Sequence, residues 1–223
     1  MKMTTLLRSI GFLTVILLSA SAAVANVDWT NWTSDNGTNV VSGTLSVGSN
    51  TVNVTATGVY YFDQINGSGT NYWNPSGPYI SATVPNAPPD PDIIALGAGG
   101  SETITFSQPV QDPLLALVSW NDNTVDFGTQ IQFLSYGTGY WGGGTPIING
   151  TGTGFYGNGE VHGVIELPGS FTSITFTNTT EYWHGFTVGV VGLAPTGVPE
   201  PATLLLLGFG LVGLTGVRRN FKK

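Results

Sequence analysis

An all-β fold, an antiparallel β-sandwich of jelly-roll type, is what residues 26–197 predict, and three observations lead to it. Short segments rich in Val, Ile, Thr, Phe and Tyr recur between clusters of Gly, Asn, Asp and Pro. Some alternate strictly: Thr103-Ile104-Thr105-Phe106-Ser107 and Ser173-Ile174-Thr175-Phe176-Thr177 place an apolar side chain at every second position. No window carries the 3.6-residue apolar period of an amphipathic helix.

The chain begins with a different pattern. Lys2 and Arg8 precede an apolar run over residues 10–18, and small residues lead to Ala23-Val24-Ala25. A basic start, an apolar centre and an A-x-A site predict a signal peptide over residues 1–25, cut after Ala25. Nine strands are then expected, at residues 39–47, 51–56, 59–63, 102–107, 114–120, 130–135, 161–167, 173–178 and 185–192. The two alternating stretches above read as counterparts in opposing sheets. Two segments lie outside the strand pattern. Residues 67–100 contain six prolines, and residues 137–159 contain ten glycines punctuated by Tyr140, Trp141, Phe155 and Tyr156. Loops of this length are usually functional, so the binding surface is expected there.

Charge is distributed unevenly. All six Lys and Arg residues lie near the two ends, and residues 26–198 contain none. Of the thirteen acids, Glu200 alone falls outside that body. Nucleic acid is excluded as a partner, because phosphate binding needs Lys or Arg to neutralise it. Strongly anionic substrates are disfavoured for the same reason. With no cysteine in the chain, the fold is held by burial alone.

Catalytic chemistry finds little support. No G-x-S-x-G elbow and no cysteine nucleophile is present. His162 and His184 each open an expected strand and read as half-exposed strand residues, with Glu160 or Glu181 as the only nearby help for a metal. Glu160 and Glu166 share a strand at an even offset, which sets them about 20 Å apart, too far for a glycosidase pair. No catalytic residue is therefore assigned and no cofactor is required. Carbohydrate binding is the alternative function: Trp73 with Tyr72, and Trp141 with Tyr140, sit in the two long segments and offer flat faces for stacking on sugar rings. Calcium is the one candidate ion, at Asp122 and Asp126 in Asn121-Asp122-Asn123-Thr124-Val125-Asp126, although turn-capping explains that stretch as well. A secreted hydrolase is a third reading.

Residues 198–223 form the last unit. Pro199-Glu200-Pro201 is followed by an apolar run over residues 202–217 and by Arg218, Arg219, Lys222 and Lys223. A helix over that run would be roughly 24 Å long, just short of the ~30 Å hydrocarbon core, and the basic cluster would hold its end in the cytoplasm. This arrangement resembles the PEP-CTERM sorting signal of Gram-negative bacteria. The resemblance implies recognition of Pro199, Glu200 and Pro201 by a membrane-embedded processing enzyme, exosortase, with Arg218 and Arg219 retaining the tail. It further implies a transient inner-membrane anchor, then release to the cell surface or the extracellular matrix. The function expected is a non-enzymatic exported protein of the surface or the exopolysaccharide matrix of a biofilm, with exopolysaccharide as a partner.

Overall fold

The structure, a computed structural model, describes residues 25–37 and 39–194. The expected signal peptide over residues 1–25, apart from Ala25, and the whole 198–223 tail with its expected transmembrane helix lie outside the described residues. Among the described residues no helix is long and apolar enough to cross a membrane.

Sixteen strands are described. The first eight are β1 (Asp28–Trp29), β2 (Asn31–Asp35), β3 (Val40–Val47), β4 (Asn50–Thr57), β5 (Tyr60–Gln64), β6 (Ile93–Leu96), β7 (Gly100–Gln111) and β8 (Leu114–Trp120). The second eight are β9 (Thr124–Asp126), β10 (Gln132–Gly137), β11 (Gly144–Ile148), β12 (Gly154–Gly159), β13 (Val161–Glu166), β14 (Ser170–Asn178), β15 (His184–Val190) and β16 (Gly192–Leu193). They form two antiparallel sheets. The first runs β10-β13-β8-β15-β6-β5, with β1 along β15, and the second runs β11-β12-β9-β14-β7-β4-β3-β2, with β16 along β7. The all-β sandwich expected from the sequence is present, and each of the nine expected strands overlaps one observed.

The main core lies between the sheets. Val52, Val54 and Ala56 of β4, Ile104 and Phe106 of β7, and Ile174 and Phe176 of β14 face Leu115 and Leu117 of β8 and Phe186 and Val188 of β15. Alternation along β4, β7 and β14 leaves their Thr and Ser residues toward solvent, as one-sided burial requires. The first sheet is different. Every residue of β8 and of β15 is buried, because a second apolar cluster covers its outer face.

That cover is the proline-rich segment. Trp73, Tyr79 and Val84 pack on Ile93, Ala95, Ala116, Val118 and Val164, together with Val27 and Trp29 of the N-terminal strand. Polar clamps fix it in place: Val27 N donates to Asn86 Oδ1 (2.8 Å), Trp29 Nε1 to the Asn86 carbonyl (3.1 Å), and Asp92 accepts from Trp32 N (2.9 Å) and Gly67 N (2.7 Å). Gly189 permits the close approach of the N-terminal strand, since a Cβ there would lie 2.6 Å from the Trp29 ring.

Four expectations are corrected. Residues 67–100 are a strap across the sheet and contain β6, so Trp73 is only 2% exposed and has no face free for a sugar. Residues 137–159 are not a loop throughout, because β11 and β12 pair as a hairpin from Gly144↔Gly159 to Ile148↔Phe155. The alternating stretches of β7 and β14 are neighbours in one sheet, Ile104 opposite Ile174, with Thr103 Oγ1 and Thr175 Oγ1 3.0 Å apart. His162 and His184 are fully buried instead of half-exposed, since both sides of their sheet are covered.

Trp73→Ala is expected to destabilise the protein by about 3–5 kcal/mol, by opening a cavity under the strap, whereas Trp141→Ala should change stability by less than about 0.5 kcal/mol. Chemical denaturation of the two variants side by side checks this contrast.

Candidate functional site

Strand β8 ends in a bulge. Its pairing with β13 shifts register between Val161 and Gly163, and Ser119 sits there at φ +58°, a left-handed value uncommon for a residue with a side chain. The bulge turns the Ser119 hydroxyl onto Glu160, whose Oε2 accepts from Ser119 Oγ at 2.5 Å. Two residues on, Asn121 donates from its side-chain Nδ2 to Glu160 Oε1 (3.0 Å) and from its backbone N to Glu181 Oε2 (3.2 Å). One asparagine thus holds two carboxyls, from the start of β13 and from the loop before β15.

A cleft of about 390 Å³ opens above this pair. Its lining is largely aromatic, with Trp141, Tyr182 and Trp183 joined by Asp122. Trp141 is brought there by a tight turn in which Gly139 and Gly142 exchange hydrogen bonds, N to O, of 2.7 and 3.3 Å. Gly139 lies flat against the His162 ring, where a Cβ would collide, so a larger residue would lift Trp141 away. His162 is itself fixed beneath: its Nδ1 accepts from Ser119 N (3.4 Å) and lies 3.2 Å from the Tyr79 hydroxyl.

Rings extend the site on both flanks. Trp141 meets Trp183 at 6.5 Å between centroids and Tyr140 at 5.0 Å, and Tyr72 meets Tyr140 and Trp183 at 5.0 Å each. On the far side Tyr182 lies 5.9 Å from Tyr61. Trp141 is 52% and Tyr182 80% exposed, so both offer open faces. Of the aromatics expected from the sequence, Tyr72, Tyr140 and Trp141 gather here, while Trp73 is removed to the strap. The sequence pattern does not single out Trp183, Tyr61 or Tyr182, because none of them lies in the two long segments outside the expected strands.

The electrostatics follow from burial without cations. Burial, reinforced by the charges of Glu160 and Asp122, pushes the Glu181 carboxyl up to about 8, against the pull of the Asn121 N–H. His184 Nδ1 lies 3.0 Å from Glu181 Oε2, and burial lowers this imidazole to about 3. Neither ring nitrogen of His184 has an aligned hydrogen-bond partner among the described residues. At neutral pH the contact therefore joins a largely protonated carboxyl to a neutral ring. On β7 of the second sheet, the 2%-exposed Glu102 is pushed up to about 7 by burial.

The two acids expected to hold calcium make separate contacts. Asp122 Oδ1 accepts from the Tyr156 hydroxyl (2.7 Å), whereas Asp126 Oδ1 caps Gly128 N (2.8 Å) on another surface. Among the described residues no three His, Cys, Asp or Glu side chains gather as a metal site. Glu166 also lies away from Glu160, beside Asp112 at the other end of the sheet.

The tail supplies the comparison that decides the route of the protein. Residues 197–220 match the family model of the PEP-CTERM protein-sorting motif. The chain carries a PEP-CTERM sorting motif. The match contains Pro199, Glu200, Pro201, Arg218 and Arg219. The motif implies targeting to exosortase, export, and transient anchoring in the membrane before release at the surface. No curated protein and no solved structure matches the chain.

Two outcomes are expected. Carboxyls raised in the folded state weaken the fold as pH climbs from their unfolded value near 4.5 through the folded one, here Glu102 and Glu181 up to about 7 and 8; histidines lowered to about 4 and 3 weaken it as pH falls below about 6.5. Thermal denaturation should therefore give a maximum near pH 5–6, with Glu102→Gln recovering on the order of 3 kcal/mol on the alkaline side only. In exosortase-bearing cells, Glu200→Ala should leave the tail attached, read as the intact mass of the recovered protein, whereas the parent should end near residue 200.

Proposed function

We propose that the exported sandwich is a polysaccharide-binding protein of the cell surface or the biofilm matrix, and that the cleft beside Trp141 is where the glycan sits. The observation that carries this reading is the pairing of open ring faces with fixed polar groups in one concave site: Trp141 and Tyr182 stand over Glu160, Asn121 and Asp122. Pyranose rings offer apolar C–H faces that stack on aromatic planes, and carboxylates and amides accept and donate to their hydroxyls. A series of rings in contact from Tyr61 to Trp141, meeting edge-on or tilted, offers more than one stacking face and suits an extended chain better than a single sugar.

Charge narrows the ligand. Without Lys or Arg in the body, uronate, sulfate and phosphate groups meet only acids, so neutral or amino-sugar polymers fit and acidic ones do not. Delivery by the sorting motif brings this cleft to where such polymers are laid down.

Titration calorimetry of the full chain in mild detergent against cellohexaose, the N-acetylglucosamine hexamer and its partly de-N-acetylated form tests the reading. At least one should bind, and Trp141→Ala should weaken it about tenfold or more without loss of thermal stability. Binding that is indifferent to both Trp141→Ala and Tyr182→Ala would place the glycan elsewhere.

A further inference from the structure

The two carboxyls at the floor of the cleft have unlike surroundings. Glu160 accepts from two donors, Ser119 Oγ on one oxygen and Asn121 Nδ2 on the other. Glu181 rests on the fully buried His184 and beside Trp183, where a charge is poorly solvated. Both hang from Asn121, so their separation is limited to the span of one residue and two hydrogen bonds. Two carboxyls with unlike surroundings, held by one asparagine at the floor of a ring-lined cleft, are the side chains that glycoside hydrolysis employs, one as acid and one as base. The sequence suggested only Glu160 with Glu166, on one strand; the fold supplies a partner from a different loop.

We propose that the cleft cleaves the glycan it binds, with Glu181 as the acid and Glu160 as the base. This inference rests on the binding reading above. The bond between the anomeric carbon and the glycosidic oxygen breaks, its electron pair stays on that oxygen, and the oxygen takes the Glu181 proton. The oxygen of a water molecule forms the new bond to the anomeric carbon, and its proton passes to Glu160. Proton return from Glu160 to Glu181 through solvent resets the pair. One water is consumed, two shorter chains leave, and nothing is oxidised or reduced. His184 touches no substrate: it is a positioning residue that keeps Glu181 protonated by denying it water. Glu160, Asp122 and His184 are the titratable groups that face Glu181.

The test uses the full chain in mild detergent with the three hexamers named above, following new reducing ends by chromatography and binding by calorimetry. A bound hexamer should be shortened. Glu181→Gln should bind it equally well and cut it about 10²–10⁴-fold more slowly, the range of a general acid. The rate in the parent should fall as pH rises through about 8, where Glu181 loses its proton, and His184→Gln should move that limb. In Glu160→Ala, added azide should restore turnover, which a variant that merely misfolds would not show. Binding without any shortening from pH 4 to 9 would overturn cleavage and leave the binding reading standing. Failure of all three hexamers to bind would end both. Shortening unaffected by Glu181→Gln and Glu160→Ala would remove this pair from the chemistry.

Discussion

Double-sided burial of the first sheet is the constraint from which the other features follow. The run Leu114-Leu115-Ala116-Leu117-Val118 in β8 has no polar face, so a sandwich with one wet side could not hold it. The second sheet covers Leu115 and Leu117, and the proline-rich strap covers Leu114, Ala116 and Val118. Proline suits that duty: it cannot pair as a central strand, yet its fixed φ lowers the entropy lost when the strap settles. With no disulfide available, Trp73 and Tyr79 are the weights that hold it down.

Once both faces are closed, the ends of the strands are the places left for a site. Ser119 marks the point where β8 leaves the pairing pattern, and the bulge there spends backbone strain to aim one hydroxyl at Glu160. The same burial that stabilises the sheet deprives His184 and Glu181 of water, so packing and electrostatics are a single effect here. Twelve acids in a body without one permanent cation leave Glu181 no opposite charge to settle it, and proton retention is its remaining route to neutrality.

Much of the fold was legible in the sequence, for identifiable reasons. Alternation in β7 and β14 is a period-2 signal that survives without context, but it cannot say whether two such strands are neighbours or face each other. The unbroken apolar run of β8 was a sign of two-sided burial that the expectation of a one-faced sandwich passed over. Strands β11 and β12 were hidden because glycine dominates them: Gly144, Gly154 and Gly157 lie against neighbouring backbone where a side chain would not fit. The tail was the most legible stretch, since triplet, apolar run and basic end are contiguous. The cleft was the least. Glu160 and Glu181 are joined through Asn121 across three separate turns, and no local spacing announces a meeting that depends on the register of β8, β13 and β15.

The topology also sets the cleft apart from the two ends of the described body. Strand β16 pairs with Gln111 and Val110 of β7, and Ala194 N donates to the Pro109 carbonyl (3.2 Å), so the chain leaves the described body beside the β7–β8 turn. Strand β1 lies at the same end, with Asp28 opposite Val190. The cleft is at the other end of β8, beyond Trp120, roughly 20 Å away at about 3.3 Å per residue. Both ends of the body that lead toward hydrophobic segments therefore emerge on one side, and the aromatic walls on the opposite one. The length of β8 thus sets the two ends of the described body apart from the ring-lined cleft, so that neither β1 nor β16 competes with the aromatic residues for the same end of the sandwich.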